Sequence, residues 1–198
     1  MRLRIPFLLL SVLSLCVAPL AAHADIITYA VSGSATGSLD GTAFSNALVT
    51  ITGSADSSNI FSPSSMIYDN IAVTSPTLTV AGVGTDTFTD TLVYVSNQNR
   101  GIVGVSDMTR NLALFLVNSS ALTSYDLSTA VGPVSGTPVF NMGRSFATKL
   151  GTFEIDSADD PTFTAIDNAT PAVPEPSSLL LLTTGMMGFA GAVKRKLS

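Results

Sequence analysis

Between two apolar ends, the chain is written in short runs where apolar positions alternate with Ser and Thr. Residues 47–52 set Val49 and Ile51 against Thr50 and Thr52, and residues 87–95 alternate Phe88 with threonines before closing as Leu92-Val93-Tyr94-Val95. A period of two puts alternate side chains on opposite faces of a strand. Similar β-branched or aromatic runs predict strands over 26–31, 67–74, 77–83, 101–105, 112–117, 137–141 and 147–155. Gly, Asn, Asp and Ser separate the runs, Ser75-Pro76 divides two of them, and residues 119–128 have room for a helical turn. Leu39-Asp40-Gly41-Thr42 predicts a tight hairpin turn, because Asp-Gly tolerates the left-handed backbone. The expected body is all-β, an antiparallel β-sandwich of jelly-roll or Ig-like type. Its expected core is Val49, Ile51, Ile71, Val73, Leu78, Val80, Phe88, Leu92, Tyr94, Val103, Leu114, Leu116, Val139, Phe140, Leu150, Phe153 and Ile155.

The ends follow different rules. Arg2 and Arg4 precede an apolar run over 5–20, and Ala22-His23-Ala24 puts small residues at −3 and −1 before Asp25. That is the layout of a secretory signal peptide over 1–24, cleaved between Ala24 and Asp25. Cys16 follows the bulky Leu15, which disfavours a lipoprotein site.

At the other end, Pro171, Pro174 and Pro176 make 170–176 an extended, helix-resistant spacer. Residues 177–193 carry no charge, and as a helix they would reach roughly 25 Å, close to the hydrocarbon thickness of a bilayer. Lys194-Arg195-Lys196 follows as a stop-transfer cluster in a short tail, 194–198, which the positive-inside rule keeps cytoplasmic. The signal peptide demands the same orientation, with the body, 25–169, outside. Gly185, Gly188 and Gly191 recur every three residues, as a packing face between membrane helices requires and as ordinary membrane helices also show.

Pro174-Glu175-Pro176, then a short apolar span, then a terminal basic cluster closely resembles the PEP-CTERM sorting signal of exosortase substrates. The resemblance covers about 25 of the 198 residues. It implies export through the secretion translocon with signal peptidase, and transient anchoring in the inner membrane of a Gram-negative bacterium. Processing of the tail by an exosortase follows, with an association with exopolysaccharide and biofilm. Glu175 and its flanking prolines are the expected recognition element. A plain membrane anchor on a proline-rich stalk is the simpler alternative.

Composition narrows the chemistry of the body. Residues 25–173 hold four basic residues against thirteen acidic ones, a net charge of −9, and contain no His, Cys or Trp. That removes Ser-His-Asp and Cys-His catalysis, Cys/His zinc sites and disulfides, and it argues against nucleic acid as partner. Glu154, Asp156, Asp159 and Asp160 form the densest carboxylate group; Glu154 and Asp156 share a strand face, and Asp159-Asp160-Pro161 reads as a loop where oxygens could hold Ca²⁺. The spacing departs from an EF-hand, and acidic loops are usually just solvated. Asp86 and Asp90 would lie about 13 Å apart along a strand, too far for a retaining glycosidase pair. Asn118-Ser119-Ser120 and Asn168-Ala169-Thr170 match the N-glycosylation pattern, which bacteria give little meaning. Tyr29, Tyr68, Tyr94 and Tyr125 are spread too widely to form a local sugar-stacking platform.

The expected function is that of an exported, non-enzymatic surface or matrix protein that requires no cofactor. The alternatives are a carbohydrate-binding or calcium-dependent adhesion module, and a secreted hydrolase working through paired carboxylates.

Overall fold

The computed structural model describes residues 25–63 and 68–168. Their strands are β1 (Ile26–Leu39), β2 (Thr42–Asp56), β3 (Asp69–Ala72), β4 (Thr74–Val80), β5 (Gly84–Thr87) and β6 (Leu92–Asn97), then β7 (Ile102–Asp107), β8 (Leu112–Asn118), β9 (Val131–Ser135), β10 (Thr137–Val139), β11 (Ser145–Ala147) and β12 (Thr152–Asp167). Two single 3-10 turns, Ser57–Asn59 and Ser120–Leu122, are the helical elements among the described residues. The second falls where the sequence leaves room for a turn.

All strand pairs are antiparallel. A seven-stranded sheet runs β11-β12-β1-β2-β4-β5, with β9 also on β12, and a five-stranded sheet runs β10-β8-β7-β6-β3. The all-β, antiparallel expectation holds. The Asp40-Gly41 turn forms as predicted: Leu39 pairs Thr42, and both central residues have positive φ, 51° and 78°.

The long strands come from strict alternation. Along β1, Ile27, Tyr29, Val31, Ala35 and Leu39 point inward and are buried, while Thr28, Ser32, Ser34, Thr36 and Ser38 point outward. Across the outer face, Ser135, Thr162, Ser32, Thr50, Thr79 and Thr85 stand in register on six successive strands, and Thr164, Ala30, Thr52, Thr77 and Thr87 form the next row. This sheet therefore presents hydroxyls to solvent in rows whose neighbouring members lie about 4.8 Å apart, strand to strand.

The two sheets face each other over one core. The Tyr94 ring of β6 packs, tilted, at 5.0 Å from that of Tyr29 of β1 and at 6.3 Å from that of Phe163 of β12. Phe115 of β8 lies over Gly33, where a Cβ would come within 2.9 Å of its ring. At the far end the seven-stranded sheet rolls until its rims meet: Phe88, just after β5, bridges Thr148, just after β11. Lys149 donates to the Thr87 carbonyl (3.0 Å), and Thr89 to that of Ala147 (2.9 Å). Register shifts in the β1–β12 ladder after Ser32 and Thr36 supply the bending. Phe44, Phe88 and Phe153 fill the rolled end, with ring spacings of 6.2 and 6.0 Å. Each such buried ring contributes about 1.5–3 kcal/mol of burial energy. Joining the rims also leaves fewer unpaired strand edges.

Several boundaries depart from the sequence expectation. Residues 87–95 are divided because the chain leaves the seven-stranded sheet after Phe88 and enters the other at Leu92. Ser75-Pro76 does not end a strand; it lies inside β4, where the ladder with β2 slips between Thr52 and Ser54 and needs no donor from Pro76. The actual break is at Val73, where the chain changes sheet. Residues 147–155 turn at 148–151, leaving Leu150 76% exposed rather than in the core. Most other predicted core residues are buried; Val73 and Phe140 pack partly against the core, and Leu116 and Val139 belong to a separate cluster on the outer face of the five-stranded sheet.

Candidate functional site

The predicted cleavage residues Ala22 and Ala24 lie outside the described residues. So do the signal peptide, the spacer with Pro174, Glu175 and Pro176, the expected membrane helix with Gly185, Gly188 and Gly191, and the cluster Lys194, Arg195 and Lys196. Asp25 is the first described residue, and its carbonyl accepts from Ser57 N at 3.0 Å. Among the described residues, no helix is long and apolar enough to cross a membrane.

The four carboxylates considered for calcium are strung along β12. Asp159, Asp160 and Pro161 are strand residues, not a loop, and Asp160 occupies a bulge with φ 48°. Glu154 and Asp156 do share the outward face, but an extended strand holds successive same-face residues about 6.8 Å apart. Among the described residues, no group of three or more such side chains is placed to hold a metal ion. The strand geometry therefore does not gather these carboxylates into a site.

Asp86 and Asp90 have structural partners. Asp86 is 6% exposed and accepts from the amides of Thr87 (2.7 Å) and Leu150 (3.0 Å), fixing the turn after β11. Burial alone would raise its carboxyl pKa; the hydrogen bonds, with the Thr148 hydroxyl foremost, outweigh it and hold the group below the usual range. Asp90 accepts from Ala147 N at 2.7 Å and from Arg110 at 2.5 Å. Arg110 also donates to buried Asp107 (2.6 Å) and to the Ser145 carbonyl (2.9 Å), and lies 5.0 Å over the Phe146 ring. This guanidinium pins the β7–β8 turn to the rim of the other sheet.

The cavity that stands out lies on the outer face of the five-stranded sheet, about 270 Å³ in volume. Its floor follows from register. Asn70, Val95, Gly104, Leu116 and Val139 stand opposite one another on five successive strands. Gly104 (φ 153°) has no room for a side chain, since a Cβ would meet the Phe115 carbonyl at 2.4 Å. The row therefore has apolar shoulders and a bare centre. Val93, on the next row, is 2% exposed although it faces away from the core, because the walls of the cleft cover it.

Polar groups ring this floor. Asn70 is 4% exposed; its amide nitrogen donates to the Tyr68 carbonyl at 3.3 Å, while its Oδ1 makes no hydrogen bond among the described residues. Asn70 is among the residues that line the cleft. Asn141 uses its Oδ1 to accept from Ala113 N (2.6 Å), which leaves its amide N–H groups for the cleft. Arg100 is held by its backbone, N–H to the Asn97 carbonyl at 3.1 Å, and its guanidinium has no ion-pair partner among the described residues. Ser106, beside Val93 in register, adds a hydroxyl.

Three of the four tyrosines are core residues, as packing predicts: the Tyr29 hydroxyl donates to the Leu127 carbonyl (2.7 Å), that of Tyr94 to the carbonyls of Tyr29 and Ile51, and that of Tyr125 to Thr129. Burial pushes all three phenols well above their ordinary pKa. Tyr68 alone stands at the cleft. Sequence reading missed this site because its groups come from four separate strands and loops. The available signal was Val93 and Val95, apolar residues that alternate with the expected core residues Leu92 and Tyr94 and so fall on the opposite face; Leu116 and Val139 gave none, being read as core.

Comparison with known families bears on the end of the chain. Residues 172–196 match the PEP-CTERM protein-sorting motif. The chain carries a PEP-CTERM sorting signal. The match spans the Pro-Glu-Pro element, the uncharged stretch and the basic cluster, the features on which the sequence resemblance rests. No curated protein and no solved structure matches the chain.

Proposed function

We propose that this is an exported, non-enzymatic surface or extracellular-matrix protein, retained by its C-terminal helix and processed by an exosortase at its PEP-CTERM signal. The observation that carries this reading is the motif match over 172–196. The sequence favours an extended spacer, since Pro174 and Pro176 disfavour a helix; such a backbone would be open to a processing enzyme, with Glu175 the charge it would recognise. The tail holds that site at the membrane, with Lys194, Arg195 and Lys196 on the cytoplasmic side.

The body suits such a destination. We read it as a β-sandwich module of jelly-roll or Ig-like kind, rolled at one end. Its rows of Ser and Thr hydroxyls favour a hydrated exopolysaccharide matrix such as that of a biofilm, and they offer acceptors for O-glycosylation. Asp86, Asp90 and Asp107 serve the fold through named hydrogen bonds, which favours a non-catalytic role over carboxylate-dependent hydrolysis. Carbohydrate binding is the second reading, favoured by the cleft on the five-stranded sheet.

Mass spectrometry of the protein released by its own host tests the proposal. The mature chain is expected to begin at Asp25 and to lack the peptide 177–198. Replacing Pro174, Glu175 and Pro176 together by Ala is expected to keep that peptide attached. Normal tail removal in the triple variant would sink the sorting role.

A further inference from the structure

We propose that the cleft on the outer face of the five-stranded sheet binds one pyranose residue bearing a carboxylate, as a unit of an acidic polysaccharide. The site stands on its own geometry; only the place where it meets its ligand rests on the exported reading above.

Three features select the ligand. The first is shape: at about 270 Å³ the cavity is below the ~300–1,000 Å³ of drug-sized pockets, so it takes a single ring rather than a folded segment or a peptide. The second is the mixture of surfaces. The floor of Val95, Leu116 and Val139 is apolar and saddle-shaped, because Gly104 leaves the centre of the row bare. A pyranose has an apolar C–H face that such a floor accepts. Its edge carries hydroxyls that both donate and accept, and so require both kinds of partner. The cleft supplies them: Asn70 offers an acceptor, Asn141 offers donors, and Ser106 can do either. Asn70 is the strongest pointer, since a polar side chain on a residue 4% exposed loses much of its hydration, and its Oδ1 has no hydrogen-bond donor among the described residues. A purely apolar ligand would leave this oxygen unsatisfied.

The third feature is charge. The body is strongly anionic, yet Arg100 lines the cleft with no acidic partner among the described residues, while the nearby Asp107 is neutralised by Arg110. A planar guanidinium pairs with a carboxylate through two parallel hydrogen bonds. A uronic-acid residue puts its carboxylate at the ring edge, one bond from the ring carbon, while the ring face stays apolar.

Titration of the full-length chain in detergent with trigalacturonate, followed by amide NMR and calorimetry, tests this. Saturable binding is expected, with shifts at Asn70, Ser106 and Arg100. Arg100→Ala should weaken it about tenfold without changing Tm, because its side chain has no ion-pair or hydrogen-bond partner among the described residues. Ser106→Phe, which fills the cleft from an already half-exposed position, should abolish it. Cellotriose, the uncharged comparison, should bind about tenfold more weakly, and acetate at equal concentration should not compete. No binding of trigalacturonate overturns the proposal. So does equal affinity in both variants, equal affinity for cellotriose, or displacement by acetate. Failure here leaves C-terminal processing unaffected, and failed processing leaves the titration unaffected.

Discussion

The hydroxyl of Tyr94 crosses from one sheet to the other and donates to the backbone carbonyl of Tyr29 at 3.1 Å, while the two rings pack at 5.0 Å. The same hydroxyl reaches the Ile51 carbonyl at 2.9 Å. One side chain thus supplies both ring contact and hydrogen bonding between the sheets, in a position with no solvent exposure. Tyr94→Phe keeps the ring and removes the donor. It is expected to lower stability by about 1–3 kcal/mol, measured by urea denaturation. An unchanged midpoint would show that the carbonyls are satisfied without it.

Arg110 ties the sheets together at the surface. Asp107 has a side chain only 3% exposed, and removing its partner leaves that carboxylate poorly compensated. Arg110→Ala is expected to cost about 2–3 kcal/mol, discounted from a fully buried pair because the arginine is 40% exposed. Arg110→Lys should recover only part of this, since an ammonium cannot reach Asp90, Asp107 and the Ser145 carbonyl together. Thermal unfolding of the three proteins at matched pH measures the difference.

Stability should be confined between two pH limits. Asp86 and Asp126 titrate below the usual carboxylate range, the latter through hydrogen bonds from Ser128. The folded chain therefore binds fewer protons than the unfolded chain as pH falls past about 4, and stability drops there. Tyr29, Tyr94 and Tyr125 titrate above theirs, first because of burial. Above about pH 10 the unfolded chain loses these protons while the folded chain keeps them, so stability falls again. Equilibrium unfolding across pH should show both limbs. A flat alkaline limb would contradict the burial of the phenols.

Gly104→Ala should be costly despite adding one carbon. Its φ of 153° disfavours an L side chain, and the new Cβ would lie 2.6 Å from the Leu116 Cα and 2.4 Å from the Phe115 carbonyl. Neither neighbour can yield without opening the β7–β8 ladder. A loss above about 2 kcal/mol is expected by chemical denaturation. A neutral result would mean that this ladder is looser than its register suggests.

Alternation of side chains by itself determined the class of the body, its antiparallel strands, the Asp40-Gly41 hairpin and most of the core around Val49, Ile51, Leu78 and Phe153. Each of these depends on neighbours within a few residues. The sorting signal was legible for the same reason, since Pro174-Glu175-Pro176, the uncharged stretch and Lys194-Arg195-Lys196 are contiguous. Tertiary structure decided where strands break, because Val73 and residues 89–91 are simply the points at which the chain changes sheet. It also decided that Asp159 and Asp160 lie in a strand, and that Leu116 and Val139 floor a cleft instead of joining the main core. Such outcomes depend on which distant strands become neighbours, and a period of two carries no record of the partner.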